Sequence, residues 1–369
     1  MLQQRNVRLA VLVLIFLAST EGGAQEVKSR NAQSWELAGS IQLQYLYDPD
    51  IANDALRTNN GFRMRRGRFS ARGKVSNFVE TAFQFEMRDN NPRLKDAEGK
   101  IKLANDYYIR FGQFKVPVWR EELRSSTNLL LVERSAAAEF LVEYNFSARQ
   151  IGVELGRRPG KGLQIAVNVA NGAGEGVRED AGQNKNNFVN NGKSFTGRAN
   201  LLVNEHLQIG VSGAANRITA VNQTPAGIAA PSGTNTMIAP DFGISLHRPS
   251  SKCQVDIEGG LAYGALAKEA IGAAEGSHFL IADVTGRYTA KFEHANAGLG
   301  GLDAFELAGG VSYVEPNDKA DDESLVFRFG PAFCFGKSTR LQINGEVTKS
   351  VPEGAETVFQ IRSQANFNF

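Results

Sequence analysis

Thiol and imidazole chemistry have little to draw on in this chain. Of 369 residues only 2 are Cys and 4 are His, which leaves little for a zinc centre or a thiol enzyme. No disulfide framework is possible beyond one bridge. An excess of one charge sign is also missing. Lys and Arg total 41 against 39 for Asp and Glu, a net charge of +2, which argues against a general nucleic-acid binder. The third absence is a long apolar run. Leu9 to Ala18 is unbroken but has only ten residues, where a spanning helix needs about 20. Later apolar stretches are short and interrupted, so a helical membrane protein is excluded. A wholly disordered chain is excluded as well, because 42% of the residues are hydrophobic.

The N-terminus carries a targeting layout. Arg5 and Arg8 form a basic head, the ten-residue apolar run follows, and Ser19, Thr20, Gly22, Gly23 and Ala24 are small. Gly22 and Ala24 stand at the −3 and −1 positions of a secretory cleavage site. Residues 1–24 are therefore expected to be a signal peptide; a short N-terminal anchor is the competing reading. Residues 25–369 are expected to form one domain outside the cytoplasm. No composition break marks a second one, and the polar Gly172 to Lys193 segment reads as a loop rather than a linker.

The mature chain alternates with period two. Trp35, Leu37, Ile41, Leu43, Tyr45 and Tyr47 share one face, while Glu36, Ser40, Gln42, Gln44 and Asp48 share the other. The last segment repeats this, with Phe359, Ile361, Ala365, Phe367 and Phe369 opposite Gln360, Arg362, Gln364, Asn366 and Asn368. Alternation alone fits a soluble sandwich or a membrane barrel with its apolar face outward. Three features favour the barrel. The strands run about ten residues, the length needed to cross a bilayer at a tilt. Aromatics gather at strand ends. The final residue, Phe369, resembles the closing signature of outer-membrane barrels. Connections also alternate in length. Ser76-Asn77, Asn204-Glu205 and Ser250-Ser251 are short; Asp48 to Asn60, Asp89 to Gly99, Gly172 to Lys193 and Arg217 to Pro240 are long. The pattern predicts an all-β fold, a closed antiparallel transmembrane β-barrel of about sixteen strands with both ends on the periplasmic side.

Two segments stand out for function. In Phe62 to Val75, Arg66, Arg68, Ser70, Arg72 and Lys74 fall on one face. Facing lipid, each cation would cost about 2–4 kcal/mol at the midplane, so this column is expected to face the lumen. Such a ladder would attract anions and pass them along. The alternative is that Glu36, Glu80 and Glu86 on adjacent strands neutralise it. Elsewhere the lumenal phase holds Arg198, Arg287, Arg328, Arg340 and Arg362, mixed with Glu154, Asp256, Glu258, Asp283, Glu306 and Glu346. The second segment, Val116 to Phe140, carries Trp119, Leu123, Leu129, Leu130, Leu131 and Val132 beside Arg120, Arg124, Arg134, Glu121, Glu122 and Glu133. It is too apolar for a free external loop and is expected to fold into the lumen and narrow it. Packing against a neighbouring subunit is the other reading.

The stretch FGQFKVPVWREELRSSTNLLLVERS, Phe111 to Ser135, resembles the hallmark region of the phosphate-selective porin O/P family of Gram-negative outer membranes, and FRMRRGRFSARGKV resembles its basic second strand. Asn171-Gly172, Gly301 to Leu307 and the closing RSQANFNF are weaker matches in the same order. The resemblance implies a sixteen-stranded outer-membrane barrel, assembled as a homotrimer among lipid and lipopolysaccharide, with an infolded third loop. It implies a pore that passes small anions such as phosphate without a cofactor or a metal. Carried over by motif, the pore and anion-binding candidates are Arg66, Arg68, Arg72, Lys74 and Lys115, followed by Arg120, Arg124 and Arg134 in the loop. Lys115 departs from the pattern: it shares parity with Tyr107, Ile109 and Phe111, which points it at lipid unless a bulge intervenes near Gly112. A general porin is the alternative within the class. A barrel enzyme would need a nucleophile beside a base, yet His206, His247, His278 and His294 are scattered without such a pairing. A structural or adhesive barrel has no use for the ladder.

Overall fold

The computed structural model describes residues 33–49, 60–88, 91–172, 174, 182–183, 189–190, 192–219, 232–248, 252–351 and 357–369. The expected signal peptide, residues 1–24, lies outside them. Sixteen antiparallel strands close into one barrel. In chain order they are β1 Ser34–Tyr47, β2 Asn60–Lys74, β3 Val79–Arg88, β4 Asn91–Lys102, β5 Tyr107–Lys115, β6 Arg149–Arg157, β7 Gly162–Ala170 and β8 Ser194–Leu202. The second half comprises β9 Leu207–Thr219, β10 Ser232–Arg248, β11 Cys253–Leu266, β12 Ser277–Asn296, β13 Leu302–Glu315, β14 Ser324–Phe335, β15 Thr339–Ser350 and β16 Thr357–Asn368. Each strand pairs with its chain neighbour, and β1 closes the ring on β16 with Leu43 opposite Ala365. A two-residue ladder, Gly182–Gln183 with Val189–Asn190, lies in the connection between β7 and β8.

The alternation decides which side faces out. On β1, Leu43 is 45% exposed while its neighbours Gln42 and Gln44 are 0% and 1% exposed. The same inversion recurs on β9, where Ile209 and Val211 are exposed and Ser212 is buried. An apolar exterior around a polar interior is stable only in lipid, where closure also leaves no unpaired strand edge.

Two irregularities break the period. Gln42 pairs with Arg66 and Leu43 with Met64, so Arg65 is an extra residue on β2. Gln84 pairs with Asp96 and Phe85 with Leu94, which makes Lys95 an extra residue on β4. The expected long connection Asp89 to Gly99 is thus a correction: most of it is strand. Leu94 and Ile101 face out from β4 while Asp96 and Glu98 face in, and the bulge hides the alternation between them. The expected Arg217 to Pro240 connection is likewise shorter, because β9 continues to Thr219 and β10 starts at Ser232. Cys253 and Cys334 are both free. Cys253 Sγ lies 3.0 Å from the hydroxyl of the exposed Tyr288, and Cys334 lines the lumen.

Candidate functional site: the infolded loop and the cavity beneath it

The β5–β6 connection folds into the barrel and supplies one side of a buried apolar cluster. It contains two short helices, α1 Arg120–Leu123 and α2 Ala136–Glu143. Ser135 caps α2, its Oγ accepting from Ala138 N at 3.0 Å. Val116, Trp119, Phe140, Leu141 and Phe146 pack against Met237, Ala239, Ala262, Phe279 and Ile281, which project inward from β10, β11 and β12. This part of the lumenal wall is apolar because the loop, not water, covers it. Trp119 has φ +60°, a conformation that costs about 1–3 kcal/mol and persists only where surroundings hold it. Its holder is Gly260: a Cβ there would come within 2.7 Å of the indole. Gly243 makes the same room for the Arg120 guanidinium.

Polar side chains pin the loop around the whole circumference. Trp119 N donates to Ser212 Oγ at 3.3 Å, Arg124 Nη2 meets Glu258 Oε2 at 2.5 Å, and Val132 N donates to Asn344 Oδ1 at 2.6 Å. Arg340 donates to the carbonyls of Leu129 and Leu130 at 2.8 and 3.1 Å. Glu121, wholly inside the loop, accepts from Ser135 N at 3.0 Å, and burial pushes its carboxyl up.

The densest anchor is Glu133. Its carboxylate meets Arg65 Nε at 2.5 Å and Arg66 Nη2 at 3.1 Å, and accepts from Gln44 Nε2 at 2.8 Å. Arg66 also donates to Gln42 Oε1 at 2.8 Å and is only 4% exposed. Strict alternation from Arg66 would put Arg63 and Arg65 on the lipid face. The bulge at Arg65 turns both inward, where Arg63 Nη2 donates to Gln44 Oε1 at 2.6 Å. The cost of two arginines in lipid was the available sign that a bulge must intervene.

The rest of the ladder divides. Arg68 Nε meets Glu86 Oε2 at 2.5 Å, the pairing that the alternative foresaw, but Glu86 also meets Lys95 at 3.3 Å, so one carboxylate serves two cations. Glu80 instead pairs with Lys102. Arg72 and Lys74 are exposed to the lumen and make no ion pair among the described residues. Lys115 reaches the lumen without a register shift in β5. It is the last residue of that strand, and its Nζ donates to the carbonyls of Glu122 and Arg124, the latter at 2.9 Å. Gly112 carries the local irregularity as φ +114° rather than as a bulge. Arg134 meets Glu122 Oε2 at 2.6 Å inside the loop, while Arg120 shares Glu258 with Arg124 at 3.4 Å. Five further lumenal arginines are paired: Arg198 with Asp241, Arg287 with Asp256, Arg328 with Asp283, Arg340 with Glu306 and Arg362 with Glu346.

Beneath the loop, toward the Ser76-Asn77 turn and the chain end, lies a cavity of about 1130 Å³. Eight cationic side chains line it against four carboxylates; Arg68, Arg72, Lys74, Lys100 and Arg158 are among the cations. Lys100 Nζ stands 4.7 Å from the Tyr108 ring centroid. No cluster of three or more metal-ligating side chains occurs among the described residues.

A closed sixteen-stranded barrel with an apolar exterior, a polar lumen and a loop folded across it is an outer-membrane porin, a channel of the bacterial outer membrane. The chain belongs to the family of phosphate-selective porins O and P, whose signature matches residues 37–245. No curated protein matches it by sequence. Solved structures match by fold. The outer-membrane channel DcaP of Acinetobacter baumannii is 11% identical, with 93% of this chain and 99% of that one covered and a TM-score of 0.62. An anion-selective porin from Comamonas acidovorans is 12% identical, with 91% and 99% covered and a TM-score of 0.61. OmpT of Vibrio cholerae, in its trimer form, is 10% identical, with 91% and 99% covered and a TM-score of 0.56.

Proposed function

We propose that the protein is a passive channel for small anions, phosphate among them, and that the periplasmic end of the ladder sets its preference. The observation that carries this reading is the pair Arg72 and Lys74, joined by Arg158. All three line the cavity under the loop without an ion pair among the described residues. Low-dielectric walls focus such a field on the passing ion. Arg66, held by Glu133, and Arg68, held by Glu86, act chiefly as wall-to-loop and wall-to-wall clamps. Lys115, Arg120, Arg124 and Arg134 belong to the loop's anchorage, with Arg120 and Arg124 also facing a side pocket. The family name and the anion selectivity of the Comamonas porin point the same way. A homotrimer set in lipid and lipopolysaccharide completes the proposal, on the precedent of the trimeric Vibrio structure.

The test is the reversal potential of purified protein in a planar bilayer under a chloride or phosphate gradient. Arg72→Ala with Lys74→Ala should lower the anion-to-cation permeability ratio, and more at 0.1 M salt than at 1 M, as the Debye length falls from about 10 to about 3 Å. An unchanged reversal potential in the double variant sinks the proposal in favour of a general porin, the reading that the many paired lumenal arginines support.

A further inference from the structure

We propose that a second site, beside the ladder, binds a small hydroxylated organic anion such as a sugar phosphate; the inference rests on the anion-channel reading. Between α1 and the β6–β9 wall lies a pocket of about 310 Å³ that opens next to the larger cavity, sharing Tyr108, Arg110, Leu123 and Arg158 with it. Its charge is unbalanced by design of the pairs around it. Arg198 is consumed by Asp241, with contacts of 2.5 and 2.7 Å. Arg110 meets two carboxylates, Glu98 at 3.2 Å and Glu154 at 3.0 Å, a surplus of one acid that Arg157 on the same lining offsets. Arg120 and Arg124 share the single carboxylate of Glu258, and Arg158 has no ion pair among the described residues. Positive charge is left over for an incoming anion.

The polar complement is not that of a bare phosphate site. Gln208 Oε1 is taken by Arg120 at 2.6 Å, Asn200 Nδ2 donates to Gln164 Oε1 at 3.1 Å, and Gln164 Nε2 donates to the Pro159 carbonyl at 3.0 Å. The Nε2 donor of Gln208 and the Oδ1 acceptor of Asn200 keep no partner among the described residues. A donor beside an acceptor suits a hydroxyl, which needs both. Tyr108, Pro117, Leu123 and Ala166 add apolar surface that an inorganic ion cannot use but a carbon skeleton can.

The experiment measures, in planar bilayers, the concentration of glucose 6-phosphate that halves the chloride current, beside the same measurement with inorganic phosphate. Glucose 6-phosphate should block at the lower concentration. Asn200→Ala and Asn200→Leu, at a residue that lines only the smaller pocket, should each raise its half-blocking concentration about fivefold and leave that of inorganic phosphate in place. Equal blocking by the two anions, or variants that shift both alike, overturns the site. Reversal potential recorded in the same bilayer separates the two readings. An anion-selective channel without the sugar-phosphate preference removes only this inference, and a channel without anion selectivity removes both.

Discussion

Replacing Glu133 with Gln removes one negative charge from between two guanidiniums. The amide keeps the shape of the carboxylate but can satisfy neither Arg65 Nε, at 2.5 Å, nor Arg66 Nη2, at 3.1 Å, with a charge. Breaking a buried pair from one side costs about 3–5 kcal/mol. The Glu133 side chain is 13% exposed and Arg65 14%, so the low end applies, about 3 kcal/mol. That shifts the balance between docked and released loop about a hundredfold, since about 1.4 kcal/mol is worth a factor of ten. Other anchors remain, Arg340 on Leu129 and Leu130 among them. Release should therefore be confined to the stretch around Glu133. Single-channel records should show added open-channel noise, and the freed Arg65 and Arg66 should raise anion preference. The pH dependence has a definite sign. Burial raises the Glu133 carboxyl, but Arg66 and Arg65 overcome it and hold it well below the usual 4.5. A depressed folded value gives anchoring that is present above the ordinary carboxylate range and is lost only as pH falls through that depressed value. The wild-type channel should stay quiet at pH 4, whereas Glu133→Gln should be noisy already at pH 7. A variant as quiet as wild type, with unchanged reversal potential, would refute this account of the anchor.

Arg340→Met leaves Glu306 with Arg287 at 3.5 Å and frees the Leu129 and Leu130 carbonyls. It should add noise while changing reversal potential less than the Arg72 and Lys74 double variant does. Gly260→Ala should displace the Trp119 ring at a cost of about 1–3 kcal/mol. In a Trp35→Phe background, indole emission should shift to the red, and an unshifted spectrum would contradict the packing. A charged, membrane-impermeant thiol reagent should modify Cys334 and reduce conductance while sparing Cys253. Modification of Cys253 alone would reverse the assignment of strand faces.

By itself the sequence determined what period two can carry. Gln42 and Gln44 against Ile41 and Leu43 separate the two faces of a strand through neighbouring residues alone, because successive side chains turn to opposite sides, and strand length with the aromatic ends then made the apolar face the lipid one. The inward fold of the β5–β6 loop was also readable, since its leucines needed cover and its charges needed partners. The strand within Asp89 to Gly99 was misread because a bulge adds a residue and reverses the parity beyond it, and a second bulge turns in Arg63 and Arg65 on β2, which the sequence reading left unassigned. Nothing in the local pattern marks where a bulge falls. The tertiary structure alone decided which base each acid neutralises. Glu133 lies 67 residues from Arg66, and Glu258 lies 134 residues from Arg124. Sequence order carries no distance across a barrel, so pairings between the loop and the far wall exist only once the ring has closed around it.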